Sequence, residues 1–370
     1  MLSRSITRTI GVLVGALGCC AAARAEIRQF SATVEGRVQE LRDGSPSDSD
    51  YAFDSFPGIS TSNLPMTTDA GFTRSDPSGT VVAAGRAITT FSDPRLSEQP
   101  SPEEFGISAV AYASDAQLSY ESGSTATETR EIVFTAADTG LADGTLIRVR
   151  SRFFVDGIAV LWSSAGVSDL SGMNATVRIE VTQNRESTGT VTVLTTDASL
   201  AGTPDDGSAL ETSGALGEGR LVRLDLNGAV RELNAVQAIL IPDVAIPYEY
   251  EATVGETFTL KATIEAVVNN RPGGRGAGVV LGAPLSELAN LVSKVAGIGV
   301  GESFAGSLAV ASDAARSKLP PAPRQSTEII PLAENTNAAV LPPLCGALGL
   351  ETALLGIALG SVAWFRPRRW

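Results

Sequence analysis

The sequence predicts an all-β protein, an antiparallel β-sandwich that is either one large sandwich or two packed ones. Apolar and polar residues alternate singly along many stretches, turn-forming dipeptides fall between them, and helical spacing is nearly absent from residues 26–315. One apolar and one polar side per stretch is what a half-buried antiparallel strand requires. Closely spaced strands with frequent turns favour a sandwich over a parallel sheet with crossover helices.

Taken in order, Phe30, Ala32, Val34, Gly36 and Val38 form the first apolar row, opposed by Ser31, Thr33, Glu35 and Arg37. Residues 42–79 are rich in Ser, Asp, Pro and Gly and read as a long surface excursion. Weaker alternation follows near 80–91, 105–120 and 129–136. Ile147, Val149, Ser151, Phe153 and Val155 then oppose Arg148, Arg150 and Arg152. Asp156-Gly157 separates that row from Ile158–Trp162 and predicts a tight hairpin, because Asp-Gly accepts positive φ. Asp143-Gly144, Asp206-Gly207 and Asn227-Gly228 predict further turns. Ala175, Val177, Ile179 and Val181 make another row, and Phe258, Leu260, Ala262, Ile264 and Ala266 a further one. Weaker runs lie near 189–195, 219–226 and 235–241, and Ser303–Val310 reads as one of the last strands. A helix is predicted over Pro284–Val300, where Leu285, Leu288, Leu291, Val292 and Val295 recur at helical spacing. Residues 316–343, carrying Pro320, Pro321, Pro323, Pro331, Pro342 and Pro343, predict an extended stalk.

The two ends read as addresses. Residues 1–25 have a basic start (Arg4, Arg8), a short apolar core (Ile10–Gly18) and the small-x-small pattern Ala23-Arg24-Ala25, the signature of a secretory signal cut by signal peptidase. Lipidation at Cys19 or Cys20 is the alternative processing, with flanking residues that fit a lipobox poorly. At the other end, Leu341-Pro342-Pro343-Leu344-Cys345-Gly346 leads into Ala347–Phe365, interrupted only by Glu351. Nineteen residues at about 1.5 Å each span roughly 28 Å, close to the hydrocarbon thickness of a bilayer. Arg366, Arg368 and Arg369 follow at once and set a cytoplasmic exit, and Trp364 and Trp370 suit the interface. Residues 344–370 are therefore expected to be a transmembrane anchor or sorting signal, with Pro342, Pro343, Cys345 and Gly346 at the processing region.

This layout of short motif, apolar helix and terminal arginines resembles bacterial C-terminal sorting signals of the PEP-CTERM, exosortase-type class over about 30 residues. It departs from them in having Cys-Gly where they carry Pro-Glu-Pro, which is closer to their Cys-containing relatives. The resemblance implies a C-terminal sorting protease as a partner. Val254–Leu260, the loop Gly273-Gly274-Arg275-Gly276 and Ser303–Val310 are together similar to the last strands of secreted β-sandwich proteins that carry such anchors. That resemblance implies fold and location, and no site.

Composition closes many mechanisms. The chain of 370 residues has no histidine and three cysteines, all of them near its ends. Residues 26–340 hold 22 basic against 40 acidic residues, a net of −18. Imidazole and thiol catalysis, thiolate or imidazole metal sites and disulfides are excluded there, and nucleic acid is not an expected partner. The three lysines (Lys261, Lys294, Lys318) complete neither Ser-x-x-Lys nor a phosphate-binding Gly-Lys-Ser/Thr. Paired carboxylates remain, since glycosidase chemistry needs no histidine. Two acidic groups, Asp43/Asp48/Asp50/Asp54 and Asp205/Asp206/Glu211, have hard oxygen donors that suit Ca²⁺ but lack EF-hand spacing, and no cofactor is assigned. Trp162 is expected in the core, leaving Tyr112, Tyr120, Tyr248 and Tyr250 as material for a sugar-stacking strip. The expectation is a non-enzymatic cell-surface or extracellular-matrix β-sandwich, exported and held at the membrane through its C-terminal helix. Extracellular polysaccharide is one partner it would suit. The alternative is a carbohydrate-active protein, either a glycan-binding module or a carboxylate-based hydrolase.

Overall fold

The computed structural model describes residues 25–60, 66–91, 105–164, 169–205, 207–217, 221–224, 233–282, 300–319 and 327–332, with Val167 and Leu226. Burial alternates along β1 (Glu26–Arg42): Phe30, Ala32, Val34, Gly36 and Val38 are buried, and the residues between them face out. Asp43 and Gly44, both at positive φ (52° and 79°), turn the chain into β2 (Ser45–Ser60). A left-handed pair of this kind matches the twist of a two-residue hairpin.

Two antiparallel sheets result. The first, sheet A, runs β10 (Ser208–Ser213), β9 (Gly189–Gly202), β8 (Asn174–Arg185), β13 (Thr257–Asn269), β6 (Ser119–Val133), β1, β2. The second, sheet B, runs β11 (Val222–Leu224), β12 (Leu233–Thr253), β7 (Leu146–Ser164), β14 (Arg275–Leu281), β5 (Ile107–Asp115), β4 (Val81–Phe91), β3 (Met66–Ser75). A short strand, β15 (Glu328–Pro331), pairs with Ile147–Arg150 of β7. A single turn of helix, α1 (Ala136–Thr139), is capped by the Thr135 hydroxyl, and a longer helix, α2, covers Val300–Arg316.

One core lies between the sheets, so the fold is a single large sandwich. The predicted rows supply much of it: Ile147, Val149, Phe153, Val177, Ile179, Val181, Phe258, Leu260 and Ile264 are all buried there. The half built from β1, β4, β5 and β6 is lined instead by Ala83, Ala87, Ala109, Ala111, Ala113 and Ala126. There β1 and β4 meet backbone to backbone: a Cβ on Gly36 would overlap the carbonyl oxygen of Gly85, and one on Gly85 that of Gly123. Small inner residues make this half thin, and glycine is the residue that permits such approach.

The outer faces differ. Sheet B carries a second apolar cluster, Val110, Tyr112, Ile158, Val160, Trp162, Val236, Ala238 and Leu240, onto which α2 lays Phe304 and Leu308. Partly buried Ala311 and Ala315 continue that stripe. The outer face of sheet A is mostly polar, with Tyr51 and Phe53 exposed on β2.

Four expectations change. No hairpin forms at Asp156-Gly157; β7 runs through it without a break. Glycine is needed there because a Cβ would stand 2.5 Å from the Val280 carbonyl oxygen of β14, not because the backbone turns. Asp156 faces an irregularity in β12 between Ile241 and Val244, and it pairs with Arg316 of α2 at 3.3 Å. Residues 42–79 are not a loop excursion but contain the edge strands β2 and β3, whose polar composition suits edges with few inward positions to fill. Ser303–Val310 is helix rather than strand, because Phe304, Leu308, Ala311 and Ala315 fall on one helical face over a ready apolar sheet. Within the predicted stalk, Glu328–Pro331 is β15, which carries the folded body past residue 315 to Leu332. Gly144 does turn, at φ 84°. Of the helix predicted over Pro284–Val300, all but Val300 lies outside the described residues, as do Asp206 and Asn227-Gly228.

Candidate functional site

The acidic residues of β2 meet arginine. Asp48 accepts a 2.7 Å hydrogen bond from Arg74 of β3, Asp50 lies 3.7 Å from the same guanidinium, and the buried Glu40 of β1 lies 3.4 Å from it. Asp54 accepts from the Thr68 hydroxyl at 2.7 Å. Arg74 also lies over the Tyr120 ring. These contacts stitch the edge of sheet A to the edge of sheet B, and inward-pointing charges on an edge strand oppose pairing with another chain. Of the residues that suggested calcium, Asp48 and Asp50 accordingly belong to an ion-pair seam, Asp54 to a hydroxyl contact and Asp43 to the turn between β1 and β2. Among the described residues no group of three or more acidic side chains is placed to hold a metal ion, and Asp206 of the other acidic group lies outside them.

Carboxylate chemistry requires two carboxyl groups within about 5–10 Å. Among the described residues Glu40 and Glu128 are the buried carboxylates. Both point inward from sheet A, but Glu40 stands opposite Tyr120 of β6 and Glu128 opposite Ala32 of β1. Eight residues of β6 separate the two positions, roughly 26 Å at a strand's rise. Glu128 is bound by Arg130 and accepts from the Gly106 amide at 3.0 Å. Burial pushes its carboxyl above the usual range, against the opposing pull of Arg130. Arg130 in turn lies over the Phe30 and Phe105 rings. Glu128 and Arg130 therefore form a structural pair in the floor of the sandwich, and among the described residues the other buried carboxylate, Glu40, is out of reach.

The tyrosines proposed for a sugar strip are in the interior. Tyr112, Tyr120, Tyr248 and Tyr250 are all buried: Tyr250 packs on Phe258, and Tyr112 on Trp162 under α2. Trp162 is core, as expected. Two other aromatics are exposed instead. Tyr51 (73% exposed) and Phe53 (57%) sit two residues apart on β2 and project from the outer face of sheet A. Their cross-strand neighbours are Arg37 and Glu35, followed on β6 by Gly123 and Thr125 and on β13 by Val267 and Glu265. Arg37 lies flat over Gly123, where a side chain would collide with it, and reaches Glu265 at 3.2 Å. Thr33, Thr127 and Thr263 form the next row, with the last two hydroxyls 3.1 Å apart. The result is a hydroxyl- and charge-lined sheet face with a two-ring ledge along its edge. The signal was present in the sequence: Tyr51, Phe53 and Ser55 alternate with Asp50, Ala52 and Asp54, but with the rings on the solvent side.

Of the predicted processing residues, Ala25 is half-buried against the core. Ala23, Pro342, Pro343, Cys345, Gly346, Arg366, Arg368 and Arg369 lie outside the described residues. Among the described residues no helix is long and apolar enough to cross a membrane.

No protein-family model and no curated protein matches the chain. Among solved structures it is similar to the VP2 subviral particle of infectious bursal disease virus, at 10% identity over 69% of this chain and 66% of that one, with a TM-score of 0.11. A structure of the Gt strain of the same virus aligns at 13% identity over 70% and 66%, with a TM-score of 0.10. Likenesses of this size carry no argument about fold or function.

Proposed function

We propose that this chain is a non-enzymatic β-sandwich scaffold, exported and then displayed at the cell envelope or released into an extracellular matrix, with residues 344–370 as its tether or sorting signal. One observation carries the reading: β1 opens at Glu26, the residue directly after Ala23-Arg24-Ala25. Cleavage by signal peptidase at that point leaves every strand of sheet A whole. β15 is the last described strand in chain order, so the apolar tail that begins near residue 344 follows the sandwich in sequence and interrupts neither sheet. A body without histidine or cysteine suits a presenting role, and the separation of Glu40 from Glu128 favours it over a carboxylate hydrolase. A glycan-binding module is the second reading, favoured by the exposed Tyr51 and Phe53.

Fractionation of cells producing the full chain, with mass spectrometry of both mature termini, tests the proposal. The expected product starts at Glu26 in the envelope or medium. Trp370 retained in the membrane fraction means a permanent anchor, and loss of everything past Cys345 means a sorting signal cut by a protease. Full-length protein recovered soluble from cytosol, still starting at Met1, overturns it.

A further inference from the structure

Among the described residues, four large hydrophobic side chains are left exposed: Tyr51, Phe53, Val191 and Val310. The valines stand on separate elements, and single exposed apolar residues are ordinary. Tyr51 and Phe53 are different. They occupy successive outward positions of one strand, while the described aromatics Tyr112, Tyr120, Phe134, Phe153, Trp162 and Phe258 are buried.

We propose that Tyr51 and Phe53 form the stacking ledge of a binding site for an uncharged polysaccharide, which lies along the outer face of sheet A. Rings held on a rigid strand offer flat apolar surface at low entropic cost, matching the C–H faces of a sugar ring. Beyond the ledge, Arg37 donates, Glu35 and Glu265 accept, and the hydroxyls of Thr33, Thr125, Thr127 and Thr263 do both. A sugar chain is hydroxyl-rich on its edges and apolar on its faces, and this surface presents both complements side by side. Gly123 keeps the middle of the site low, so the Arg37 guanidinium lies flat instead of standing in the path of a ligand crossing the strands.

Charge selects among occupants. The chain carries a net −13, which repels nucleic acids and acidic polysaccharides. A second copy of the chain is disfavoured at the same edge, because Asp48, Asp50 and Asp54 of β2 would face their equivalents across a strand-to-strand joint. Two rings amid threonine and charge are also far less apolar than the centre of a stable protein interface. The inference deepens the glycan-binding reading without depending on export or on the tail.

Affinity electrophoresis and pull-down of the purified full chain test it, with cellulose, chitin, starch and galactomannan as neutral probes and alginate as the acidic one. At least one neutral probe should retain the wild-type chain and alginate should not. The double substitution Tyr51→Ala/Phe53→Ala should weaken that binding about tenfold or more, while Tyr51→Phe retains most of it. Both positions are exposed, so the unfolding midpoint of the double variant should match the wild type. Failure of all four neutral probes, equal binding by the double variant, or preference for alginate overturns the proposal. So does a wild-type dimer in light scattering that the double variant abolishes. Because every arm uses purified protein, failure here leaves the export reading standing, and a cytosolic location leaves this one standing.

Discussion

Arg130 is the residue on which charge and packing meet. It neutralises Glu128 inside the sandwich and stacks over Phe30 and Phe105. Arg130→Met keeps much of the volume but leaves a buried carboxylate that retains the Gly106 amide as a donor. Removing one partner of a buried pair costs about 3–5 kcal/mol. The sign with pH follows from burial. Glu128 already has a folded-state pKa above its ordinary value, and loss of Arg130 removes the opposing pull. A carboxyl that binds its proton more tightly when folded loses stability as pH rises through that range and regains it as pH falls. Urea titrations of Arg130→Met should therefore show the largest deficit at pH 7 and a shrinking one toward pH 5. A deficit independent of pH would mean that packing alone holds the site. Two glycines give opposite signs. Gly85→Ala drives a methyl into the Gly123 carbonyl and should cost about 1–3 kcal/mol or more. Gly306→Ala, inside α2 with nothing within 4 Å, should gain about 0.5–1 kcal/mol.

Among the elements, the strands with a clean period of two were legible, because burial on one face leaves a direct trace in composition. The rows beginning at Phe30, Ile147, Ala175 and Phe258 all face the core. Elements governed by a neighbour were not legible. Gly157 resembles a turn glycine, and only the approach of β14 explains it. The inward face of β2 is acidic because Arg74 answers it from a strand 26 residues away from Asp48, which alternation cannot reveal. Helix α2 was hidden for a similar reason. Small residues surround Phe304 and Leu308, and they make a helix only because sheet B offers an apolar bed. Phe304 packs on Trp162, with ring centroids 5.5 Å apart. Phe304→Ala should thus detach α2 before the sandwich opens, at a cost of about 3–5 kcal/mol for that contact. A red shift of Trp162 fluorescence at urea concentrations where far-UV ellipticity still reports sheet would show it, best read with Trp364 and Trp370 replaced by Phe. A fluorescence change that coincides with loss of the sheet would place the helix inside the main cooperative unit.

For the molecule as a whole, the question left open by chain length is whether residues 26–332 unfold as one body or two. The two halves look different, one thin and lined with alanine, the other thick with isoleucine, phenylalanine and tyrosine. Long strands override that difference. β7 and β12 pair from Leu146 to Ser164, β6 meets both β1 and β13, and a single buried cluster contains Val34 and Ala109 as well as Ile179 and Leu260. Opening either half would split strands along their length and expose inward side chains of the other. One transition is therefore expected, with a urea slope set by the whole buried surface. Gly85→Ala in the thin half and Leu260→Ala in the thick half should move the same midpoint without changing that slope; the second should cost about 2–5 kcal/mol. Urea curves read by ellipticity and by amide exchange on β4 and β13 would check this. Two separated midpoints, each shifted by only one of the substitutions, would show that the thin and thick halves are independent bodies joined by shared strands.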